Sequence, residues 1–166
     1  MNNINSRPII FLDYDGVVNT IIWRKYPREN QFKARYGFPS DGFVNNYQAI
    51  CWLNDLYKKI PYNIVVSSTW RFHKNYKQCL YRGGLDKNIP ILGCTPRVEG
   101  CRGDEIKQWI IDNNFNNKFI ILDDDTDMGE YMENLIKCDC YLGFTIKEYE
   151  ECLYRLRFWK GCGFYV

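Results

Sequence analysis

The sequence has few of the features that mark secreted, membrane-spanning or zinc-binding proteins. No apolar run approaches the ~20 residues that cross a bilayer. The N-terminus, MNNINSRPII, lacks the basic start, apolar stretch and small-residue cleavage site of a signal peptide. A single histidine, His73, and the absence of any Cys-x-x-Cys pair argue against structural zinc. We therefore expect a cytoplasmic protein with no membrane partner, whose eight cysteines are reduced thiols.

The size of the chain limits the number of domains, but its net charge does not indicate its partners. The 166 residues, 46% of them hydrophobic, are enough to bury one core, so we predict a single domain over residues 1–166. A formal net charge of +2 gives no reason to expect a nucleic-acid partner. Any such expectation has to come from the distribution of charge.

Apolar runs alternate with amphipathic segments along the whole chain, which is typical of an α/β fold with a parallel sheet and crossover helices. The predicted strands are Ile9–Leu12, Asn63–Ser67, Ile89–Leu92, Phe119–Leu122 and Cys140–Phe144. The predicted helices are one between an N-cap at Asp41 and Pro61, then Trp70–Arg82, 103–114, Met128–Lys137 and Ile146–Trp159. Residues 17–40 are polar and aromatic without clear periodicity, and we expect them to form a flap or minimal cap.

Polar side chains follow three of these strands. Asp13 and Asp15 come directly after the first strand, Ser67–Thr69 ends the second, and Asp123–Asp127 follows the fourth. In an open parallel sheet, ligands bind outside the carboxyl ends of the strands. Carboxylates from two strand ends can share one Mg²⁺, which prefers oxygen ligands, and without a cation they would repel each other.

Each acidic segment also has a purely structural interpretation. Asp13–Gly16 is a sequence that forms turns readily. Asp123–Asp127 is a sequence that suits the start of a helix, where carboxylates interact favourably with the dipole. Because both segments and the hydroxyls of the second strand are predicted at one edge of one sheet, we favour a functional site.

These segments resemble the short motifs of the haloacid dehalogenase (HAD) superfamily, in the proper order. Residues 11–16 (FLDYDG) look like the first motif, 64–71 (IVVSSTWR) like the second and 120–125 (IILDDD) like the fourth. The similarity spans nearly the whole chain. It implies a Rossmann-like HAD fold, with a central parallel sheet flanked by helices and a small cap insert after the first strand.

The resemblance also implies roles for individual residues. Asp13 would attack phosphorus to form an aspartyl-phosphate, with its other oxygen on Mg²⁺. Asp15 would protonate the leaving oxygen and then activate water. Ser67 would hydrogen-bond the transferring phosphoryl group, and Ser68 is the alternative. The presence of an acid at position 15 favours phosphatase chemistry over dehalogenation.

The third and fourth motifs leave alternatives open. The third normally supplies a cation that offsets the phosphoryl charge, for which Arg102 is the first choice and Lys107 the second. In the fourth, Asp123 is the implied Mg²⁺ ligand, with Asp124 as its partner, or Asp127 if the two acids are spaced four apart. The implied metal ligands are Asp13, Asp15, Asp123 and Asp124.

Basic and aromatic residues alternate in two segments. Residues 23–36 carry five basic side chains among aromatics, including Arg24 and Lys25, and residues 70–77, with Arg71, repeat the pattern beside the second motif. Cations that neutralise phosphates and rings that stack on bases are used to bind single strands. The alternative is a charged surface over a partly buried aromatic face.

A narrower resemblance points in the same direction. Residues 67–71 (SSTWR), 93–96 (GCTP), 102–106 (RGDEI) with Trp109, and 122–125 (LDDD) are similar to HAD domains of nucleic-acid repair proteins, related to the phosphatase half of polynucleotide kinase-phosphatases. This implies removal of a terminal phosphate, typically from a 3′ end. No Gly-rich Walker-type loop is present, so a kinase or ligase would be a separate partner. A small-molecule or nucleotide phosphatase and a non-catalytic binding module are the alternatives.

Overall fold

The protein is described by a computed structural model that covers residues 4–20 and 46–158. Its strands are β1 (Ile9–Leu12), β2 (Asn63–Val66), β3 (Ile91–Cys94), β4 (Phe119–Asp123) and β5 (Leu135–Lys137). Its α-helices are α1 (Tyr47–Lys59), α2 (Tyr76–Arg82), α3 (Arg102–Asp112) and α4 (Ile146–Phe158). Short 3₁₀ helices cover Ile4–Ser6, Thr69–Phe72 and Gly129–Asn134. Most of the expected flap, with Arg24 and Lys25, lies outside the described residues.

The five strands form one parallel sheet in the order β3-β2-β1-β4-β5. The predicted α/β fold with a central parallel sheet is therefore confirmed. β1 lies at the centre, and the chain proceeds outward from it in one direction to β3 and then, after crossing over, in the other to β5. The carboxyl ends of β1 and β4 thus flank the point where the strand order reverses, which is where doubly wound sheets bind ligands.

Alternate residues of β1 face two separate apolar layers. Ile10 and Leu12 belong to the core that contains α1 and α4, whereas Ile9 and Phe11 belong to the core that contains α3. The Phe11 ring meets the Trp109 ring of α3 edge-on, at 5.5 Å between centroids. Because every residue of β1 is buried, the strand reads as a continuous apolar run, as expected for a parallel strand covered on both faces.

The prediction of the fifth strand at Cys140–Phe144 was wrong. Residues 135–137 form β5 instead, pairing with β4 through Ile121 and Leu135. The helix predicted over Met128–Lys137 is therefore shorter than expected, a 3₁₀ helix over Gly129–Asn134. Asp139 explains the difference, because its carboxylate accepts the backbone N–H groups of Tyr141 and Leu142 and turns the chain there. A short apolar segment such as 135–137 cannot be assigned to a strand or a helix by periodicity alone.

The helix boundaries also differ from those expected. The predicted helix Trp70–Arg82 is divided into the 3₁₀ helix Thr69–Phe72 and α2. α1 begins after Asn46, whose side-chain oxygen accepts the N–H groups of Gln48 and Ala49, while the expected cap at Asp41 lies outside the described residues. None of the helices in the described part of the chain has the length and apolar character needed to cross a bilayer.

Candidate active site

A tight turn after β1 positions the first two carboxylates. The backbone N–H of Asp13 donates to the carbonyl of Leu122 (2.9 Å), so this residue continues the pairing with β4. Gly16 has φ of +75°, and a Cβ at this position would lie 2.2 Å from the carboxylate of Asp124. Glycine is therefore required for the turn to pack against the end of β4.

Asp15 lies within the same turn. Its Oδ1 accepts a hydrogen bond from Nδ2 of Asn19 (2.7 Å), and the N–H of Gly16 donates to the Asn19 carbonyl (3.0 Å). Asn19 therefore holds both the side chain of Asp15 and the backbone beside it. The resemblance to known motifs did not single out Asn19, because nothing in its position four residues after Asp15 distinguishes it from an ordinary turn residue.

Three carboxylates converge at the ends of β1 and β4. Asp13, Asp123 and Asp124 each offer an oxygen, and these atoms all lie within 4.8 Å of one another. Asp13 is 6% exposed and Asp123 is 1% exposed, and Oδ2 of Asp123 has no hydrogen-bond partner among the described residues. A buried carboxylate oxygen without a partner is costly unless a cation binds it. The three acids therefore fit a hard divalent cation such as Mg²⁺, whereas Asp15 lies outside this group.

Burial and mutual repulsion disfavour the charged forms of these acids. Burial, followed by the charge of Asp123, raises the pKa of Asp13 to about 7. Burial also raises the pKa of Asp123 to about 6, with Asp124 and Asp127 adding to the effect, and it raises the pKa of Asp124. The Ser68 hydroxyl and the charge of Arg102 act in the opposite direction on Asp13.

These shifts predict how stability depends on pH in the presence of a chelator. Because the pKa of Asp13 is higher in the folded protein than in the unfolded chain, its stabilising contribution is present below about pH 4 and lost as the pH rises through about 7. Asp13→Asn should therefore melt at least about 3 °C above the wild type at pH 8, and the difference should shrink at pH 5. Thermal melts at both pH values would contradict this if the two proteins melted together at pH 8.

The N-terminus of α3 brings one of the two candidate cations to the acids. Nε of Arg102 lies 3.8 Å from Oδ2 of Asp123, and its buried Nη1 has no hydrogen-bond partner in the described structure. Asp127 accepts the backbone N–H of Arg102 (3.1 Å). By contrast, the half-exposed Lys107 pairs with Glu130 (2.7 Å), a contact that raises the pKa of Lys107. The cluster therefore includes Arg102 and not Lys107.

Gly103 allows this helix to approach β4 closely. Its N–H donates to the carbonyl of Asp127 (3.1 Å), and a Cβ here would lie 2.1 Å from the carbonyl oxygen of Met128. Since both atoms belong to the backbone of the loop after β4, no side-chain movement can relieve this overlap. The close approach fixes the position of Arg102.

Gly103→Ala should accordingly destabilise the protein by about 1–3 kcal/mol, although alanine normally favours a helix over glycine. Turnover should also fall because Arg102 is displaced. Gly93→Ala is the matched control for stability, since a Cβ on Gly93 of β3 meets nothing within 4 Å, and it should be neutral or slightly stabilising. Denaturant unfolding of both variants would contradict the account if their losses were equal.

The ends of β2 and β3 supply hydroxyl groups. The Ser68 side chain hydrogen-bonds Asp13 and lowers its pKa, and it also accepts the N–H of Trp70 (3.3 Å). The Ser67 hydroxyl is buried without a partner among the described residues. The same is true of the hydroxyl of Thr95, which follows β3 next to Ser67. Thr95 was missed as an individual site residue, and its place directly after a strand was the available signal.

Arg71, predicted to contact substrate, has a buried side chain that binds the protein itself. Its Nη1 donates to the carbonyl oxygens of Ser67 (3.2 Å) and Ser68 (3.1 Å), and its Nη2 pairs with Glu105 of α3 (2.5 Å). Nε is buried and has no partner within the described part of the chain. The guanidinium thus links the loop after β2 to α3, close to the hydroxyls that flank Asp13.

Comparisons with known proteins agree with this geometry. Residues 9–149 match the family described as the HAD domain in Swiss Army Knife RNA repair proteins, a span that includes β1, the acidic cluster and α3. Searches of curated proteins and of solved structures found no match. The chain belongs to this family of HAD domains from RNA repair proteins, which supports a phosphatase-type enzyme.

Proposed function

We propose that the protein is a Mg²⁺-dependent phosphohydrolase that acts through an aspartyl-phosphate on Asp13 and removes terminal 3′ phosphates from nucleic acid. The observation that carries this proposal is the group of acids formed by Asp13, Asp123 and Asp124, with unpartnered donors on Arg102 and Ser67 nearby. Such a site combines a nucleophile, ligands for a cation and donors for phosphoryl oxygens.

Asp13 is placed to act as the nucleophile. Its oxygen forms a bond to phosphorus while the bond from phosphorus to the substrate oxygen breaks, which divides the displacement into two easier steps. Ser68 and Arg102 both favour the ionised form of Asp13 that this attack requires. The unpartnered groups of Arg102 and Ser67 then donate to the phosphoryl oxygens and offset the charge that develops on them.

Asp123 and Asp124, together with one oxygen of Asp13, would hold Mg²⁺. A bound Mg²⁺ would supply positive charge that offsets the negative charge of these acids and of the phosphoryl group. Its charge also favours the ionised form of Asp13 at neutral pH. Oδ2 of Asp123 is buried and accepts no hydrogen bond from the described residues, with Nε of Arg102 at 3.8 Å, which supports this assignment.

Asp15 is assigned to proton transfer in both steps. In the first it gives its proton to the departing substrate oxygen, and in the second it takes a proton from the water that attacks the aspartyl-phosphate. The hydrogen bond from Asn19 holds Oδ1 of Asp15 and so fixes the position of the carboxyl group beside Asp13. Asp13 is regenerated and inorganic phosphate is released.

Family membership and the shape of the fold support a nucleic-acid substrate. The matched family is named for RNA repair proteins. The described residues between β2 and β3 form a 3₁₀ helix and the short α2 and no larger cap, which favours a bulky substrate. We also propose a kinase or ligase that acts on the same ends as a partner.

Release of phosphate from matched substrates tests this proposal. Oligonucleotides of one sequence with a 3′ or a 5′ phosphate, together with the corresponding mononucleotides, should be compared with Mg²⁺ and with chelator. The proposal predicts Mg²⁺-dependent release with preference for the 3′-phosphorylated oligonucleotide. Turnover confined to mononucleotides would instead indicate a nucleotide phosphatase, and no turnover of any phosphoester would indicate a binding module.

A further inference from the structure

We propose that Phe72 forms a stacking platform for the unpaired nucleobase next to the terminal phosphate, so that the enzyme acts on single-stranded ends. The inference rests on the proposed function and specifies where the organic part of its substrate binds. Phe72 ends the 3₁₀ helix that follows Ser68, and its side chain is 61% exposed. An exposed aromatic ring offers a face on which an unpaired base can stack.

One face of the Phe72 ring is already supported. The guanidinium carbon of Arg71 lies 4.7 Å from the ring centroid, in a cation–π arrangement. Arg71 is in turn held by the carbonyls of Ser67 and Ser68 and by Glu105. Because its support is fixed by several hydrogen bonds, the ring is pre-organised, which reduces the entropic cost of binding a flat ligand on the free face.

The same contacts link the platform to the loop that carries the hydroxyls beside Asp13. The guanidinium that supports Phe72 lies within hydrogen-bond distance of the residues that carry the hydroxyls beside Asp13. The Ser67 hydroxyl is fully buried and unpartnered within the described residues, which marks the phosphoryl position independently of the ring. The ring is thus connected through Arg71 to the segment that carries Ser67 and Ser68.

The surroundings of the ring suit a polyanion. The chain continues from Phe72 into His73 and Lys74, both exposed, and the Trp70 and His73 rings pack together at 5.0 Å between centroids. Cations beside exposed rings are the combination that holds single-stranded nucleic acid. At a nick within a duplex the terminal base is stacked on both faces and cannot use the platform, so 3′ phosphates at nicks should be poor substrates.

A substrate–variant cycle tests the platform. Phe72→Ala should lower kcat/KM by about 10-fold to 100-fold on a 3′-phosphorylated single strand, and Phe72→Trp should restore it. The loss should disappear on the same strand with an abasic 3′-terminal nucleotide, since only the base contacts the ring. Phe158→Ala, which removes a ring on α4 that is 68% exposed, is the control and should match the wild type on both strands.

The possible outcomes distinguish failure of the proposed platform from failure of the proposed phosphatase function. The platform alone would be overturned if the wild type turned over the single strand while Phe72→Ala lowered kcat/KM equally on the normal and abasic strands. It would also be overturned if Phe72→Ala lowered kcat/KM on neither strand. Turnover of acetyl phosphate but of no oligonucleotide would overturn the nucleic-acid substrate and the platform together. A 3′ phosphate at a nick that is released as fast as that of the single strand would also overturn the platform.

Discussion

Asp13→Asn is expected to lower kcat by at least about 10⁴-fold, the scale of loss when a covalent nucleophile is removed. The amide of Asn cannot form an acyl phosphate. No other carboxylate of the described residues occupies the position of the Asp13 side chain directly after β1. Asp124 lies in the same cluster, but it also packs against Gly16, at the turn that holds Asp15. Neither Asp123 nor Asp124 can therefore move into the position of Asp13 without rebuilding this turn.

The measurement is steady-state phosphate release at saturating substrate, with the melting temperature recorded for each protein. Asp112→Asn, at the exposed end of α3, is a matched control that removes one carboxylate charge far along the helix and should leave kcat unchanged. Because Asp13→Asn removes repulsion within the cluster, it should retain or gain thermal stability in chelator. Residual activity within about 10-fold of the wild type would contradict the nucleophile assignment.

Arg102→Ala is expected to lower kcat by about 10²–10³-fold, as for the loss of one donor to a developing anionic charge. The same change removes the positive charge that lowers the pKa of Asp13 and Asp123. The pKa of both acids should rise, so the acidic limb of the pH–rate profile should move to higher pH. A residue that only stabilised the fold would not produce that displacement.

Lys107→Ala discriminates between the two cations considered for this role. Lys107 is half-exposed and paired with Glu130, so its removal should change kcat less than about 3-fold. Arg102→Lys should recover part of the activity lost in Arg102→Ala, because it restores the charge without the planar donors. A larger loss for Lys107→Ala than for Arg102→Ala would reverse the assignment.

The sequence predicted the parts of the fold in which local pattern and tertiary environment agree. β1, β2 and β4 are apolar runs buried on both faces, and α1 has a clear helical period, so these elements lie close to their predicted positions. The prediction of β5 was wrong because three residues are too few to show a periodicity, and because their strand conformation depends on pairing with β4. Only the completed sheet distinguishes it from a helix.

The candidate site shows the same division between local and long-range information. Asp13 and Asp123 were predictable because strand ends of a parallel sheet share an edge. The contacts of Arg71 with Glu105, and the pairing of Lys107 with Glu130, depend on how α3 packs, which spacing along the chain does not specify. Gly103 likewise acquires its role only when the loop after β4 lies against it.

Acid-quenched labelling of the enzyme with radioactive phosphate tests whether Asp13 accepts the terminal phosphate of a nucleic acid. An oligonucleotide with a ³²P-labelled 3′ phosphate is mixed with the enzyme and Mg²⁺, quenched in acid within the first turnover, and the protein is digested and mapped. Label is expected on the peptide that contains Asp13, and hydroxylamine should release it because an acyl phosphate reacts with hydroxylamine. No label is expected with chelator or in Asp13→Asn. Label on another residue, or release of phosphate without labelled protein at any quench time, would contradict this role of Asp13.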